Sequence, residues 1–238
     1  MLITSTTVLP AHREDIELTT ADGLTLVGEL SLPEGSPPAA TAVFLHPLPT
    51  AGGFMDSHVI RKAAWRLPAL AGIAVLRFNF RGVTSPRGTS QGSFGEGSDE
   101  RLDMLAALEF VSSRSLPKPW LIGWSFGTEV ILKHARACAD QISGVILLSP
   151  PLHRTSEQEV AAWADVTIPV VALVPEFDDF LTPEPARQRF AGAPTIEVVT
   201  GEGAKHLWVG EKYTYFVLSE ITKRLNPASP PLAVEWKP

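Results

Sequence analysis

Ser125 stands at the centre of Gly123-Trp124-Ser125-Phe126-Gly127, a G-x-S-x-G pattern. The apolar run Trp120-Leu121-Ile122 before it suits a buried parallel strand, and Thr128 to His134 after it has helical periodicity. So sharp a strand-to-helix turn crowds the backbone on both sides of the serine. Gly123 and Gly127 are the positions where a side chain would collide. The hydroxyl is thereby pushed out above the carboxyl edge of a sheet, at the start of a helix, where it is expected to act as a nucleophile. The alternative is a glycine-flanked turn with a capping serine.

A hydroxyl is a poor nucleophile near neutral pH and needs a base within hydrogen-bond reach, a task that suits imidazole. Six histidines compete. His12 precedes the fold, His58 lies on a helical face, and His134 is two turns into the helix after the serine. His46 opens the loop after an apolar strand, and His153 follows another. His206 fits best: it lies just beyond the last expected strand and gives the chain order Ser, Asp, His. The alternative is a surface-loop histidine. A carboxylate should orient that imidazole, and Asp178 and Asp179 follow an apolar strand as required. Adjacent residues in an extended turn point different ways, so one of the two faces the histidine, and Asp178 is preferred. Alternatively both shape the turn and cap the next helix.

A tetrahedral intermediate needs two aligned N–H donors. Phe126, directly after the serine, should supply one from its backbone. Pro47 and Pro49 have no N–H, which leaves Leu48 between them as the second donor, on a loop that the prolines stiffen.

The elements that must position these groups are legible in outline. Ile16–Thr20 and Leu24–Leu32 read as an antiparallel hairpin about Asp22-Gly23. Strands are expected at Ala42–Leu45, Ile73–Phe78, the run before Ser125, Val145–Leu148, Val170–Val174 and Ile196–Val199. Helices are expected from Ser57 to about Leu67, where Pro68 perturbs the pattern, from a capping Asp99 to about Ser113, after Ser125, around Glu157–Trp163, from Pro183 to Phe190, and over about Glu211–Leu225. Residues 83–98 read as a glycine- and serine-rich loop, and 201–206 as another loop. Strands alternating with helices imply an α/β fold, a mostly parallel sheet covered on both faces. Ligands then bind beyond the carboxyl ends of the strands, where His46–Gly53, Ser125, Asp178/Asp179 and His206 all fall.

With 238 residues, 45% of them hydrophobic, the chain is expected to form one domain over 1–225, with a proline-rich tail at 226–238. The net charge of −6 and the scattered Lys and Arg argue against a nucleic-acid or acidic-membrane partner. Met1 to Glu17 lacks a basic segment followed by an apolar core, so no secretory signal is expected, and no segment reaches the ~18 apolar residues of a membrane span. The one cysteine, Cys138, sits on a helical pattern as a small buried residue. A cytoplasmic location is the expectation. No metal cluster, phosphate loop or cofactor fingerprint stands out, so no cofactor is expected, and the oligomeric state is open.

From about Ala42 to Leu225 the chain resembles the alpha/beta-hydrolase superfamily, and more narrowly its small, lid-poor, dienelactone-hydrolase-like bacterial group. The resemblance lies in HPLPTAGGFMD (46–56), LRFNFRGV (76–83), GEGSDERLD (95–103), GWSFG (123–127), PEFDDFLTP (175–183) and GAKHLWVGE (203–211). It implies Ser125 as nucleophile, Asp178 as acid, His206 as base, and the Leu48 and Phe126 amides as oxyanion hole. Two departures are the His-Pro in place of the usual His-Gly, and the longer 83–98 loop containing Pro86-Arg87-Gly88.

The stretch from Ser149 to Ile168 is too short for a large cap domain. Phe54, Leu152, Phe180, Leu207 and Trp208 are expected around the mouth, suited to a small apolar acyl or alcohol group, while Trp124 is expected in the core. Arg81 is expected to brace the oxyanion loop and Arg87 to be solvated, although either could attract a carboxylate. The leading expectation is a serine hydrolase acting on a small-molecule carboxylic ester or thioester through an acyl-enzyme. The alternatives are a peptide or amide hydrolase, and a non-catalytic binding protein that keeps the fold.

Overall fold

In the computed structural model, which describes residues 1–237, the alternating residues about Asp22-Gly23 form the antiparallel pair β1 (His12–Thr19) and β2 (Thr25–Leu32). The chain continues through β3 (Ala40–Leu45), α1 (His58–Ala71), β4 (Ile73–Phe78) and a short ribbon of β5 (Thr84–Ser85) and β6 (Gly88–Thr89). Next come α2 (Glu100–Ser113), β7 (Pro119–Trp124), α3 (Phe126–His134), β8 (Gly144–Leu148) and α4 (Glu157–Ala161). It ends with β9 (Val170–Phe177), α5 (Pro183–Arg189), β10 (Ile196–Lys205) and α6 (Glu211–Leu225).

Eight strands form one sheet in the order β1-β2-β4-β3-β7-β8-β9-β10. From β4 to β10 all neighbours are parallel, and only the β1–β2 and β2–β4 pairs run antiparallel. Every residue of β3, β4, β7 and β8 is buried. Strands covered on both faces read as continuous apolar runs rather than as alternating ones, and these do. Helices α1 and α6 pack on one face through Val59, Ala63, Leu67, Val217 and Ile221. Helices α2 to α5 cover the other through Met104, Val130, Ile131, Val160 and Ala186. This is the expected α/β architecture. Strand β3 has β4 on one side and β7 on the other, so the strand order reverses there. The crevice above such a reversal is where open α/β sheets bind ligands.

The fold departs from expectation at three places, and the proline-rich tail takes a defined course. Helix α1 runs through Pro68 to Ala71. Proline leaves the carbonyl four residues earlier without its donor, and the Arg13 guanidinium reaches that Ala64 oxygen at 3.4 Å. Residues 201–205 are not a loop: β10 continues to Lys205, pairing Gly201 with Pro175 and Lys205 with Phe177 across a bulge. Asp99 occupies the N-cap position of α2 but makes no side-chain cap; Glu100 instead accepts from the Gly95 and Gly97 amides, each at 2.8 Å. The tail folds back on the body. Leu232 is buried against α6, and Leu2 bridges Glu235 in a ribbon of the two ends. Pro238, the last residue of the expected tail, lies outside the described residues. Among the described residues no helix is long and apolar enough to cross a membrane.

Candidate active site

At the end of β7 the backbone turns so tightly that Ser125 adopts φ 52° and ψ −114°. This left-handed conformation is costly for a residue with a side chain. The flanking glycines make it possible. A Cβ on Gly127 would lie 2.2 Å from the Leu45 carbonyl oxygen, and one on Gly123 would lie 2.6 Å from the Gly127 backbone. Although Ser125 stands at the N-cap of α3, its side chain makes no cap bond. The hydroxyl instead meets Nε2 of His206 at 3.0 Å.

His206 follows β10 directly, and its Nδ1 lies 2.9 Å from Oδ2 and 3.1 Å from Oδ1 of Asp178. A carboxylate accepts, so Nδ1 carries the proton and Nε2 is left to accept from the Ser125 hydroxyl. Asp178 sits in the turn after β9 and is itself held: Oδ1 accepts from the Phe180 amide at 2.9 Å and the Leu181 amide at 3.3 Å. Asp178 is 8% exposed and His206 6%, so the pair is largely shielded from water. Asp179 is exposed, and the imidazole bonds to Asp178 and not to it.

The two expected amide donors are both free. Among the described residues, no group accepts from the N–H of Leu48 or of Phe126. Phe126 opens α3, so its N–H is one of those a helix start leaves unpaired. Leu48 is oriented by His46. The His46 ring, fully buried, accepts the Phe80 amide at Nε2 (3.0 Å), and its Nδ1–H donates to the Pro47 carbonyl (2.7 Å). In a trans peptide the C=O and the N–H point in opposite directions. Holding the Pro47 oxygen on His46 therefore turns the Leu48 N–H the other way. Burial pushes the His46 pKa down from 6.5 to about 4, with only the Pro47 carbonyl opposing, so the ring stays neutral as both bonds require.

The far end of the same loop is tied to β4. Arg77, fully buried, pairs with Glu29 at 2.7 Å and with Asp56, and donates to the Met55 carbonyl at 3.3 Å. The Met55 amide donates to Asn79 Oδ1 at 2.9 Å. His46, Arg77 and Asn79 were not singled out from the sequence as loop anchors. For Arg77 and Asn79 the available signal was polar residues inside the otherwise apolar 76–80 run, and for His46 a histidine directly after a buried strand.

Two arginines differ from expectation. Arg81 does not brace the oxyanion loop; it pairs with Asp103 at 2.8 Å and with Asp22 at 3.1 Å, tying the β1–β2 turn to α2. Arg87 is not free in solvent. It bridges Asp15, Glu29 and Asp56 and so pins the 83–98 loop to the sheet edge.

Of the residues expected at the mouth, Phe180 and Leu207 are there, each 52% exposed. The Phe180 ring meets His206 edge-on, centroids 4.6 Å apart. Phe54 is half-buried and, with Val83 and Phe94, lines a cavity of about 230 Å³ beside the oxyanion loop. A second cavity, of about 350 Å³, adjoins His206 and is lined by Asp179, Lys205, Leu207, Val209 and Tyr213. Leu152 and Trp208 are corrections: both are packed in the core. Trp208 turns inward because its indole N–H finds the Ser149 hydroxyl at 2.8 Å and its ring stacks on Phe216. A cavity of about 360 Å³ under the ribbon of the two chain ends, among Leu2, Leu70, Tyr215 and Leu218, is lined by none of Ser125, Asp178 and His206.

No protein-family model matches the chain. Over 149 residues it is 30% identical to an uncharacterized protein of Rickettsia prowazekii, a match that covers 62% of this chain and 60% of that protein's length. Among solved structures it is similar to a serine hydrolase without lid from Xanthomonas campestris. Identity there is 28% and the TM-score 0.74, over 96% of this chain and 100% of the other. A serine hydrolase homologue from Coxiella burnetii is 26% identical at a TM-score of 0.73, over 88% and 96% of the two chains. An esterase of Pyrococcus furiosus, 18% identical, shares the fold at a TM-score of 0.74 over 91% and 93%. The chain has the alpha/beta serine hydrolase fold, and small lidless bacterial hydrolases are among its structural neighbours.

Proposed function

We propose that the chain hydrolyses small carboxylic esters or thioesters through an acyl-enzyme on Ser125. The observation that carries this reading is the continuous line from Ser125 Oγ through both ring nitrogens of His206 to Asp178, at 3.0 and 2.9 Å, with the Leu48 and Phe126 amides left without an acceptor among the described residues. Oγ attacks the acyl carbonyl as its proton passes to Nε2. The charge that develops on the carbonyl oxygen is received by the Leu48 and Phe126 amides. Collapse breaks the bond to the alcohol or thiol, which leaves with the proton from Nε2. Water then gives a proton to Nε2, attacks the acyl carbon, and releases the acid as the proton returns to Oγ. Asp178 remains a carboxylate throughout and stabilises the imidazolium.

The small-substrate reading rests on the site's walls. Among the described residues only α4 and its flanking turns separate β8 from β9, too little for a large cap, and Phe54, Phe180 and Leu207 offer limited apolar surface. The test is turnover of p-nitrophenyl acetate, butyrate and dodecanoate and of acetyl-coenzyme A by wild type and Ser125→Ala. The expected result is preference for the short acyl chains and a loss of at least about 10³-fold in the variant. A folded wild type that hydrolyses none of them, or a variant that keeps its rate, would contradict the proposal.

A further inference from the structure

Two consecutive residues at the end of β8 hold both halves of the reactive pair. The Leu148 carbonyl accepts the Ser125 amide at 2.8 Å. The next residue, Ser149, is 1% exposed and donates its hydroxyl to the His206 carbonyl at 2.9 Å. The same carbonyl receives the indole N–H of Trp124 at 3.3 Å, and Ser149 Oγ in turn accepts the indole N–H of Trp208 at 2.8 Å. Ser149 makes these bonds from a left-handed backbone with φ 49°, which a serine adopts at a cost and a glycine would not.

The position of that carbonyl gives the contact its consequence. Lys205 to Trp208 form a turn closed by the Trp208 amide on the Lys205 carbonyl at 2.9 Å. The His206 carbonyl belongs to the central peptide of this turn, which the closing bond does not itself engage; Leu207 keeps a negative φ, as in a type I turn. A tilt of that peptide changes ψ at His206 and, through its Cα, the aim of the imidazole at Ser125. The neighbouring Leu207 carbonyl is held as well, by His58 Nε2–H at 2.6 Å. Gly201 makes room for the far end of the cluster, since a Cβ there would lie 2.4 Å from the Trp208 ring.

We propose that Ser149, oriented by Trp208 and assisted by Trp124, is a positioning residue that locks the His206 peptide and so keeps the base in register with Ser125. The hydroxyl touches no reacting atom; it acts through the backbone. This inference rests on the hydrolase reading for its catalytic consequence, but not for its geometry.

Ser149→Gly separates the role from mere stability, because glycine relieves the left-handed backbone while removing the hydroxyl. With p-nitrophenyl butyrate the expected result is a fall in kcat of about 10-fold or more, with KM and Tm close to wild type. Trp208→Phe, which keeps the ring and loses the N–H, should fall in the same direction by less. An unchanged kcat in Ser149→Gly, or a loss that merely follows a lowered Tm, overturns the proposal. A second readout is independent of turnover. The ¹⁵N-histidine resonances of His206 should be sharp in wild type and broadened in Ser149→Gly, and identical spectra overturn the lock. A folded wild type without esterase activity would defeat the hydrolase reading alone, and the spectra would still decide the lock.

Discussion

His46 accepts the Phe80 amide at Nε2, and this 3.0 Å bond determines which nitrogen of the ring can face the oxyanion loop. With Nε2 occupied as an acceptor, the proton must sit on Nδ1, where it holds the Pro47 carbonyl and turns the Leu48 amide away from His46. The departure His-Pro is thereby explained in part: the proline stiffens the peptide that the histidine orients.

Removing the ring should therefore act on catalysis. His46→Ala is expected to lower kcat on the order of 10²-fold, the usual cost of losing one oxyanion donor. His46→Asn, whose side-chain N–H₂ can stand near Nδ1, should recover part of that loss. Steady-state kinetics with a short p-nitrophenyl ester makes the comparison, and equal rates for the two variants would remove the donor from the explanation.

Stability should depend on pH through the same ring. The folded His46 binds its proton only near about 4, below the 6.5 of an unhindered imidazole, so between these values the unfolded chain binds more protons. The contribution is present in full above about 6.5 and is lost as pH falls towards 4; at 1.36 kcal/mol per pKa unit it amounts to roughly 3 kcal/mol. Burial lowers His58 and His134 too, in the same direction. Urea melts at pH 7 and pH 5 should show wild type losing stability on acidification and His46→Asn losing less; parallel losses would contradict the assignment.

Asp178 and Asp179 are adjacent and should behave very differently. Asp178 is buried against His206 Nδ1, whereas Asp179 is exposed. Asp178→Asn is expected to lower kcat by roughly 10³- to 10⁴-fold, because an amide can hold the wrong tautomer of the ring. Asp179→Asn should stay within about 3-fold, since exposed substitutions away from the reacting groups usually matter little. Kinetics of the two variants side by side is the check, and the reverse ranking would move the acid by one residue.

The elbow was legible because its constraint is local: strand, serine and two glycines lie within a few residues, and the crowding follows from their order. Asp178 and His206 were legible from their places after strands. What was not legible depends on distant partners. Pro68 ends most helices, and here it does not, because Arg13 reaches the carbonyl it orphans. The glycines of 201–205 suggested a loop, but pairing with β9 outweighed their low strand preference. Trp208 looked like a mouth residue because an aromatic beside His206 carries no sign of which way it turns. Its inward turn depends on Ser149, which lies 59 residues away.

The most direct test of the central claim is labelling by a fluorophosphonate, which reacts only with an activated serine. Wild type should be labelled stoichiometrically and rapidly, Ser125→Ala not at all, and His206→Ala only slowly. Labelling of the folded Ser125→Ala protein, or none of the folded wild type, would contradict the assignment of Ser125 as nucleophile.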